Sequence, residues 1–443
     1  MVIWVAVQKS DGSALFILFL VVMIDMIGFG IIIPFLTYFI EDLATKEGII
    51  EFGFWIGLML LSYSAAQFLF SPFWGSLSDR IGRRPVIMAG LLGNTVFFTA
   101  FGLSSSLTMA LIARFFAGAF NANIAVAKAY IGDISDHTNL AKRMGLIGAS
   151  FGLGFTIGPF LGGEFSSPAQ KWDLFSNTIF DSNPYLLPCA IASALSLASF
   201  ALALKKLPES HQVEHRTESG SLNPLNQISI MLNDLKTVSR MPSLGNLIMI
   251  GVMFTYGFTI MHAVFVLFTE SGLGFSEAEN GRVFAIIGLN GLLIQGFLIG
   301  RLTKKFGSIK LMKIGTLICG LGLSLIPHVS TEWVWLSMMG VVILISTGNG
   351  LFQPSYAAIL AQNTRLAGQE MGMVMGAQES ASAFARILGP LTGGLVWDYT
   401  VQRNGLLSNA SAFHLCGIMM IIALFLQFKT TSLSPQSSGH IEE

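Results

Sequence analysis

Long apolar runs alternate with short polar segments along almost the whole chain. A helix needs about 20 largely apolar residues to cross a bilayer. Twelve runs are long enough, with turn-like polar segments such as 104–106 between them. The predicted spans lie near 13–40, 53–77, 85–104, 107–130, 142–164, 184–204, 244–268, 280–300, 309–327, 332–358, 369–397 and 411–428. Because irregular backbone cannot face lipid unsatisfied, the pattern predicts an all-α membrane protein with twelve transmembrane helices.

The composition agrees with a lipid bilayer as the surroundings of this chain. Of the 443 residues, 53% are hydrophobic and only 11% are charged, less than half of the share of about 25% that is usual in soluble proteins. The net charge is zero, which argues against a nucleic-acid partner. The three cysteines lie in apolar runs without CxxC spacing, so we expect neither disulfides nor a metal site.

Lys and Arg are unequally divided between the two sets of loops. On one side we count 18 basic residues, and on the other only Lys46, Lys171, Arg282 and Arg403. Loops rich in Lys and Arg stay in the cytoplasm. The asymmetry therefore predicts a multi-pass protein of the cytoplasmic or plasma membrane with both termini in the cytoplasm.

One long polar stretch divides the spans into six and six. It covers residues 205–243, which we interpret as a flexible cytoplasmic linker. The predicted domains are then an N-terminal half at 1–204, a C-terminal half at 244–430 and a polar tail at 431–443.

Two motifs of the N-terminal half recur in the C-terminal half. The second span is followed by Gly75-Ser-Leu-Ser-Asp79-Arg80-Ile-Gly82-Arg83-Arg84, and the eighth by Gly300-Arg-Leu-Thr-Lys304-Lys305-Phe-Gly307. The fifth span contains Gly158-Pro159-Phe-Leu-Gly162-Gly163, and the eleventh contains Gly389-Pro390-Leu-Thr-Gly393-Gly394. The two pairs are 225 and 231 residues apart. This near-constant spacing predicts a duplicated six-helix unit with its substrate site between the halves.

The loop after the second span combines glycines with charged side chains. Asp79 can pair with Arg83, and Asp133, just past the fourth span, can bond the same arginines. One interpretation is a latch that is intact in one conformation and broken in another. Its members are Gly75, Asp79, Arg80, Gly82, Arg83, Arg84 and Asp133. A solvated loop with the usual cytoplasmic charges explains the spacing equally well.

The fifth span carries small residues at intervals of four. Gly154, Gly158 and Gly162 share one face, beside Pro159 and Gly163. Small residues let helix backbones approach closely, and proline favours a kink. The pattern predicts a packed seam, with a seam that also shears as the functional alternative.

Taken together, these motifs resemble those of the major facilitator superfamily. The loop G-x-L-x-D-R-x-G-R-R at 75–84 is similar to its signature. Arg114-x3-Gly118 and the glycines of the fifth span resemble its proton-antiporter drug-efflux branch. Asp25-x2-Gly28-x-Gly30-x3-Pro34 and Ala129-Tyr130-Ile-x-Asp133 look like the tetracycline-resistance subgroup. The resemblance covers essentially the whole chain and implies the major facilitator fold and proton coupling.

The chain also departs from the tetracycline exporters it resembles. Those proteins carry further acidic residues in the third and ninth helices, where this chain has Phe97 and, over 309–327, neither Asp nor Glu. A magnesium–tetracycline cation would lose part of its acidic lining, so tetracycline is not the expected substrate. In the second copy of the loop, Lys304 replaces the acidic residue.

Ionisable side chains inside the spans need a reason, because each costs about 3 kcal/mol or more at the bilayer centre. Asp25 and Glu379 are candidate proton-coupling residues, and the resemblance implies the same of Arg114. Asp25 could instead order helix packing. Glu379 could recognise a cation or pair with Arg386, although we expect two helical turns to be too far for contact. Arg386 is then an interhelical hydrogen-bond donor, and Lys128 extends to the membrane interface.

Uncharged polar side chains in the spans could line a cavity or link helices. They are Gln67, Asn94, Asn121, Asn123, Gln295, Asn349, Gln353 and Gln378.

The sequence therefore predicts a secondary transporter that exports a lipophilic or drug-like small molecule in exchange for protons. A dedicated exporter of a siderophore or sugar, and a non-transporting receptor or scaffold, remain as alternatives. An enzyme is not expected, because the spans hold no HExxH or similar set. No P-loop is present, so we expect the proton gradient, without a cofactor, to drive a functional monomer.

Overall fold

The computed structural model describes residues 2–121, 123–135, 139–210, 224–402 and 408–429. These residues form eighteen α-helices joined by short turns. The N-terminal half contains α1 (Val2–Ile32), α2 (Leu36–Lys46), α3 (Gly53–Ile81), α4 (Arg83–Gly102), α5 (Leu107–Phe120), α6 (Asn123–Asp133), α7 (Leu140–Glu164), α8 (Pro168–Lys171), α9 (Ile179–Ser182) and α10 (Leu186–Lys206). Then come α11 (Pro224–Ser239) and the C-terminal half: α12 (Pro242–Leu273), α13 (Glu277–Leu293), α14 (Ile299–Phe306), α15 (Ser308–Leu325), α16 (Val334–Leu366), α17 (Met371–Trp397) and α18 (Ser411–Phe428).

The helices confirm the predicted all-α membrane fold. In the described residues, eleven segments are long and apolar enough to cross a bilayer, and they coincide with eleven of the predicted spans. The remaining predicted span, 369–397, forms α17, a helix of 27 residues. It is less apolar because it carries Glu379 and Arg386 and is rich in Gly, Ala and Ser. The total of twelve spans stays a prediction.

Two predicted spans are interrupted. The first ends at Ile32, and the chain turns through 33–35 before α2, because Pro34 has no N–H and restricts the residue before it. The fourth is divided at Asn121 into α5 and α6. Trp74 Nε1 donates to the Ala119 carbonyl at 2.6 Å, and Gln67 Nε2 to the Asn121 carbonyl at 3.4 Å. Side chains of α3 thus bond carbonyl groups around this interruption.

The stretch predicted as a flexible linker contains a helix, α11. Leu235 and Val238 pack on the core, and the helix contacts both α3 and α17. Its apolar residues recur at helical spacing, so one face can be buried. The prediction of a flexible linker overlooked these apolar positions, because polar residues surround them in the sequence. Residues 211–223, Arg403 and the predicted tail at 431–443 lie outside the described residues.

The two halves meet at the end of the bundle opposite Asp79 and Asp133. We call the end with Asp79 and Asp133 the latch end, and the other the far end. At the far end, Gly163 of α7 lies against the Glu277 carbonyl of α13, too close for any side chain. Gly394 of α17 lies in the same way against the Gly53 carbonyl of α3. We call these two contacts the far-end seam.

Side chains add further bonds between the halves at the far end. Asp398 accepts from the backbone N–H groups of Gly53 at 2.8 Å and Phe54 at 2.7 Å, which caps α3. Arg282 Nε donates to Glu164 Oε1 at 2.6 Å. These bonds hold the far end closed in this conformation.

The carboxyl end of α7 carries a cation at the seam. Lys171 Nζ donates to the carbonyls of Gly163 at 3.0 Å and Glu164 at 2.9 Å. A cation there suits the negative end of the helix dipole. Burial lowers the pKa of Lys171, against the opposing effect of the nearby Glu277 and Glu164 carboxylates.

Candidate proton and substrate site

Asp25 lies on α1, seven residues before the end of the helix, and is buried, with 1% of its surface exposed. Its Oδ1 accepts from Asn94 Nδ2 at 2.9 Å and from Asn123 Nδ2 at 3.1 Å. Among the described residues, Oδ2 has no hydrogen-bond partner. Donors to one oxygen favour the charged carboxylate, whereas burial disfavours it. Oδ2 is thus the atom that can take a proton without displacing an existing donor.

A glycine makes this arrangement possible. Gly90 lies one turn before Asn94 on α4, and the amide of Asn123 occupies the space a side chain would need. Asn123 can therefore reach Asp25 from α6. The sequence offered Asn123 only as one of several polar candidates, because pairing across helices is not visible in spacing along the chain.

Arg114 is the second fully buried charge of the N-terminal half. Its guanidinium carbon lies 4.4 Å from the ring centroid of Tyr63 and 5.9 Å from that of Phe101. Within the described chain, its Nε and Nη1 have no hydrogen-bond partner. The cation is therefore held against aromatic faces, which attract positive charge.

The predicted contacts of the latch are present. Arg83 Nη1 donates to Asp79 Oδ1 at 2.5 Å and to Ser78 Oγ at 2.7 Å. Arg83 Nε donates to Asp133 Oδ2 at 3.0 Å. Arg80 lies beside them at the end of α3, whereas a side chain at Gly75 would meet no atom within 4 Å. Whether the cluster acts as a latch stays a prediction.

Glu209 joins this cluster, and our reading of the sequence missed it. Its carboxylate accepts from the backbone N–H groups of Arg83 at 2.8 Å and Arg84 at 3.2 Å, at the start of α4. Gly82 has φ of 107°, a conformation that favours glycine, and a side chain there would collide with Glu209. An acid at a helix N-terminus is stabilising, but Glu209 lies in the predicted linker, where no helix partner is visible.

The predicted small-residue face of α7 packs on α1. Gly158 lies against the Ile27 carbonyl. Gly154 and Gly162 take equivalent places against Met26 and Ile31. The opposite side of α7 meets the C-terminal half, where Gly281 of α13 lies against the Pro159 carbonyl. The helix therefore contacts both halves, as a shearing seam requires, and the kink at Pro159 stays a prediction.

The expectation that Glu379 and Arg386 are too far apart for contact is wrong. Arg386 Nη2 donates to Glu379 Oε1 at 2.5 Å. Their side chains are long enough to bridge two turns, a rise of about 10 Å. The Glu379 side chain is 65% exposed and that of Arg386 38%, and Glu379 also interacts electrostatically with Lys128 of the N-terminal half. Its role in proton coupling stays a prediction. Arg386 bonds within its own helix, which also corrects its interpretation as an interhelical donor.

The polar cavity candidates divide between the halves. Asn94, Asn121 and Asn123 are buried in the N-terminal half, with Gln67 bonded to the backbone at Asn121. In the C-terminal half, Gln378 Nε2 donates to Ser382 Oγ at 2.8 Å and Asn349 is half-buried. Gln295, Gln353 and, in the N-terminal half, Lys128 are exposed.

The centre of the C-terminal half is aromatic rather than charged. Phe254 of α12 and Phe352 of α16 stack with centroids 3.6 Å apart and planes within 6°. Phe352 also stacks on Tyr356 at 5.3 Å. Phe258 continues the row on α12 and meets His262 edge-on at 5.2 Å. Composition alone could not distinguish these rings from those that face lipid.

Comparison with known proteins adds a family and its relatives. The family model described as Major Facilitator Superfamily matches residues 18–390. The class B tetracycline resistance protein of Escherichia coli is 25% identical over 98% of this chain and 99% of its own length. Protein ZINC INDUCED FACILITATOR-LIKE 1 of Arabidopsis thaliana is 28% identical over 94% of this chain and 91% of its own. The crystal structure of the human organic anion transporter MFSD10 (TETRAN) has a TM-score of 0.66 at 23% identity, covering 94% of this chain and 99% of that one.

Proposed function

Because the chain belongs to the Major Facilitator Superfamily, we propose that it is a proton-coupled antiporter that exports a lipophilic small molecule. That it is a multi-pass membrane transporter rather than an enzyme follows from the family and its relatives. Proton coupling, direction and substrate class are our proposal. No cofactor enters it, since the proton gradient supplies the energy.

The observation that carries the proposal is the carboxylate of Asp25. It is buried in α1, two amides hold Oδ1, and Oδ2 lacks a partner among the described residues. Oδ2 can hold the coupling proton in the state that has released its substrate. Binding of substrate beside the carboxylate then favours loss of the proton, because the two compete for one site.

The conformation supports alternating access. The far-end seam and the bond of Arg282 to Glu164 close one end of the bundle between the halves. In the orientation predicted from Lys and Arg, the closed end faces away from the cytoplasm. Substrate would then load from the cytoplasm, and release would require the seam to part while the latch end closes.

The two halves also support the substrate class. Phe384 of α17 is 39% exposed and its ring lies 5.6 Å from that of Phe68 on α3, so an apolar portion of a ligand has surface to meet between the halves. The relative named for tetracycline resistance agrees with an exporter of drug-like compounds, so we do not favour a dedicated sugar or siderophore exporter.

The proposal is tested by proton flux in proteoliposomes that contain the full chain. A panel of lipophilic dyes, tetracyclines and siderophores is added, and proton movement is followed with a pH-sensitive dye. We expect at least one lipophilic dye to drive proton movement that is abolished in Asp25→Asn. Glu379→Gln is assayed beside it, because the sequence also offers Glu379 as a proton-coupling residue and that role stays a prediction. Substrate movement that ignores pH and both substitutions would contradict antiport.

A further inference from the structure

Tyr63 lies close to both buried charges of the N-terminal half. Its ring faces the guanidinium of Arg114 at 4.4 Å, and its side chain interacts electrostatically with both Arg114 and Asp25. Arg114 and Asp25 both belong to the described residues, and they do not form an ion pair with each other. Opposite charges that are both buried would be expected to pair, so their separation needs a physical cause.

The backbone fixes the position of Tyr63. Gly118, four residues after Arg114 on α5, lies directly against the Tyr63 carbonyl on α3, and no side chain would fit between them. Because Arg114 and Gly118 are on one face of α5, this contact places the Tyr63 ring under the guanidinium. The Arg114-x3-Gly118 motif therefore fixes the guanidinium of Arg114 and the ring of Tyr63 beneath it in one position relative to each other.

The hydroxyl group of Tyr63 is also engaged. Asn121 Nδ2 donates to Tyr63 Oη, and the ring packs 5.6 Å from that of Phe29. Tyr63 itself is only 3% exposed. With both ends held, the ring cannot move away from Arg114 without a change in the packing of α3.

We propose that Tyr63 is a positioning residue that keeps Arg114 from pairing with Asp25, so that the Asp25 carboxyl can bind its proton. This inference rests on the proposed role of Asp25 in proton coupling. A direct partner for the guanidinium would stabilise the ionised carboxylate, and Asp25 would release its proton too readily to be reloaded. The titratable groups facing Arg114 are Tyr63 and Cys189, and the polar groups facing Asp25 are Asn94, Asn123 and Tyr63.

Infrared difference spectroscopy of the full chain in lipid nanodiscs tests this without a ligand. The carbonyl band of protonated carboxyl groups is recorded as a function of pH, and the part that disappears in Asp25→Asn belongs to Asp25. For Tyr63→Leu we expect the midpoint of that part to move to lower pH by about one unit, because Arg114 gains access to the carboxylate. Tyr63→Phe keeps the ring and should leave the midpoint within a few tenths of a unit.

Two further variants distinguish positioning from general damage. Phe101→Leu removes the other ring over Arg114 and should lower thermal stability without moving the midpoint. Tyr63→Leu combined with Arg114→Gln should restore the midpoint, because the competing cation is gone. If Tyr63→Leu does not fold, Tyr63→Met fills a similar volume without a ring and should show the same shift.

An unchanged midpoint in a folded Tyr63→Leu or Tyr63→Met protein would overturn the proposal. So would a shift that persists after Arg114 is replaced. Failure of the proposed function is a separate result: substrate-driven proton movement would then survive in Asp25→Asn, whatever the titration of the Tyr63 variants shows.

Discussion

In the N-terminal half, Gly162 of α7 lies against the Ile31 carbonyl of α1; in the C-terminal half, its counterpart Gly393 of α17 lies against the Ile260 carbonyl of α12. At the far-end seam, Gly163 of the N-terminal half and Gly394 of the C-terminal half each lie against a backbone carbonyl of the opposite half. The centres of the halves are not alike, since one buries Asp25 and Arg114 and the other stacks Phe254 on Phe352. Duplication has kept the backbone packing while the buried side chains have diverged.

The difference has an energetic reason. A contact between a glycine and a backbone carbonyl requires only that the glycine position stay small. Such contacts are therefore retained in both halves as long as the helices pack against each other. A buried charge costs several kcal/mol unless its surroundings are arranged for it. One half provides those surroundings with three asparagines and Tyr63, and the proposed coupling needs only this one titratable site. The other half is free to supply apolar surface.

The largest effect is expected where the halves are alike. Gly163→Ala and Gly394→Ala should each lower stability by about 1–3 kcal/mol, because a methyl group overfills the seam. Transport should also fall, since the far end could not close. Thermal unfolding and dye transport in proteoliposomes measure the two effects.

Gly148→Ala is the matched control for the seam variants. A side chain at Gly148 would meet no atom within 4 Å, so the better helix propensity of alanine should leave stability equal or up to about 1 kcal/mol higher. If the seam variants behave like Gly148→Ala, the far end does not pack as described. If only one seam variant is damaged, the two halves are not equivalent there.

A smaller effect is expected where the halves differ. Asn94→Ala removes one of the two donors to Asp25 Oδ1, so the protonated carboxyl becomes more favourable. The pH dependence of dye-driven proton movement should shift to higher pH by about half a unit to one unit. Gln378→Ala removes an amide from the C-terminal half and should leave the profile in place. Equal shifts in both variants would mean that proton coupling is not confined to the N-terminal half.

The smallest effect is expected at the exposed ion pair of α17. Replacement of Arg386 by Gln should change the free energy of unfolding by less than about 1 kcal/mol, because half-exposed pairs are screened by water. Guanidinium unfolding in detergent measures the change. A loss above about 3 kcal/mol would show that the pair is desolvated in the membrane. Glu379 would then be a second buried acid and a candidate for proton coupling beside Asp25.

The periodicity of the sequence predicted most of the fold, because a lipid-facing helix must be apolar along its whole length. It placed Asp25 and the glycines of α7 on the helices that carry them, whereas the predicted loop 75–84 forms the end of α3 and the start of α4 around Gly82. It could not reveal Tyr63 or Glu209, whose importance depends on partners far away in the chain. It also misjudged Glu379 and Arg386, since spacing measures the rise between two Cα atoms but not the reach of two long side chains.

The anchoring of Glu209 on the start of α4 has a consequence for how the halves remain together. Ser210 Oγ also donates to Asp133 Oδ2 at 3.1 Å, so the connection between the halves is bound to the N-terminal half up to residue 210. At its other end, α11 contacts α3 and α17. Only residues 211–223 join these two anchored points, and an extended chain of that length reaches about 45 Å. The covalent connection therefore sets an upper limit on how far the two anchored points can separate. Weak contacts at the latch end can then form and break repeatedly while the two halves stay associated.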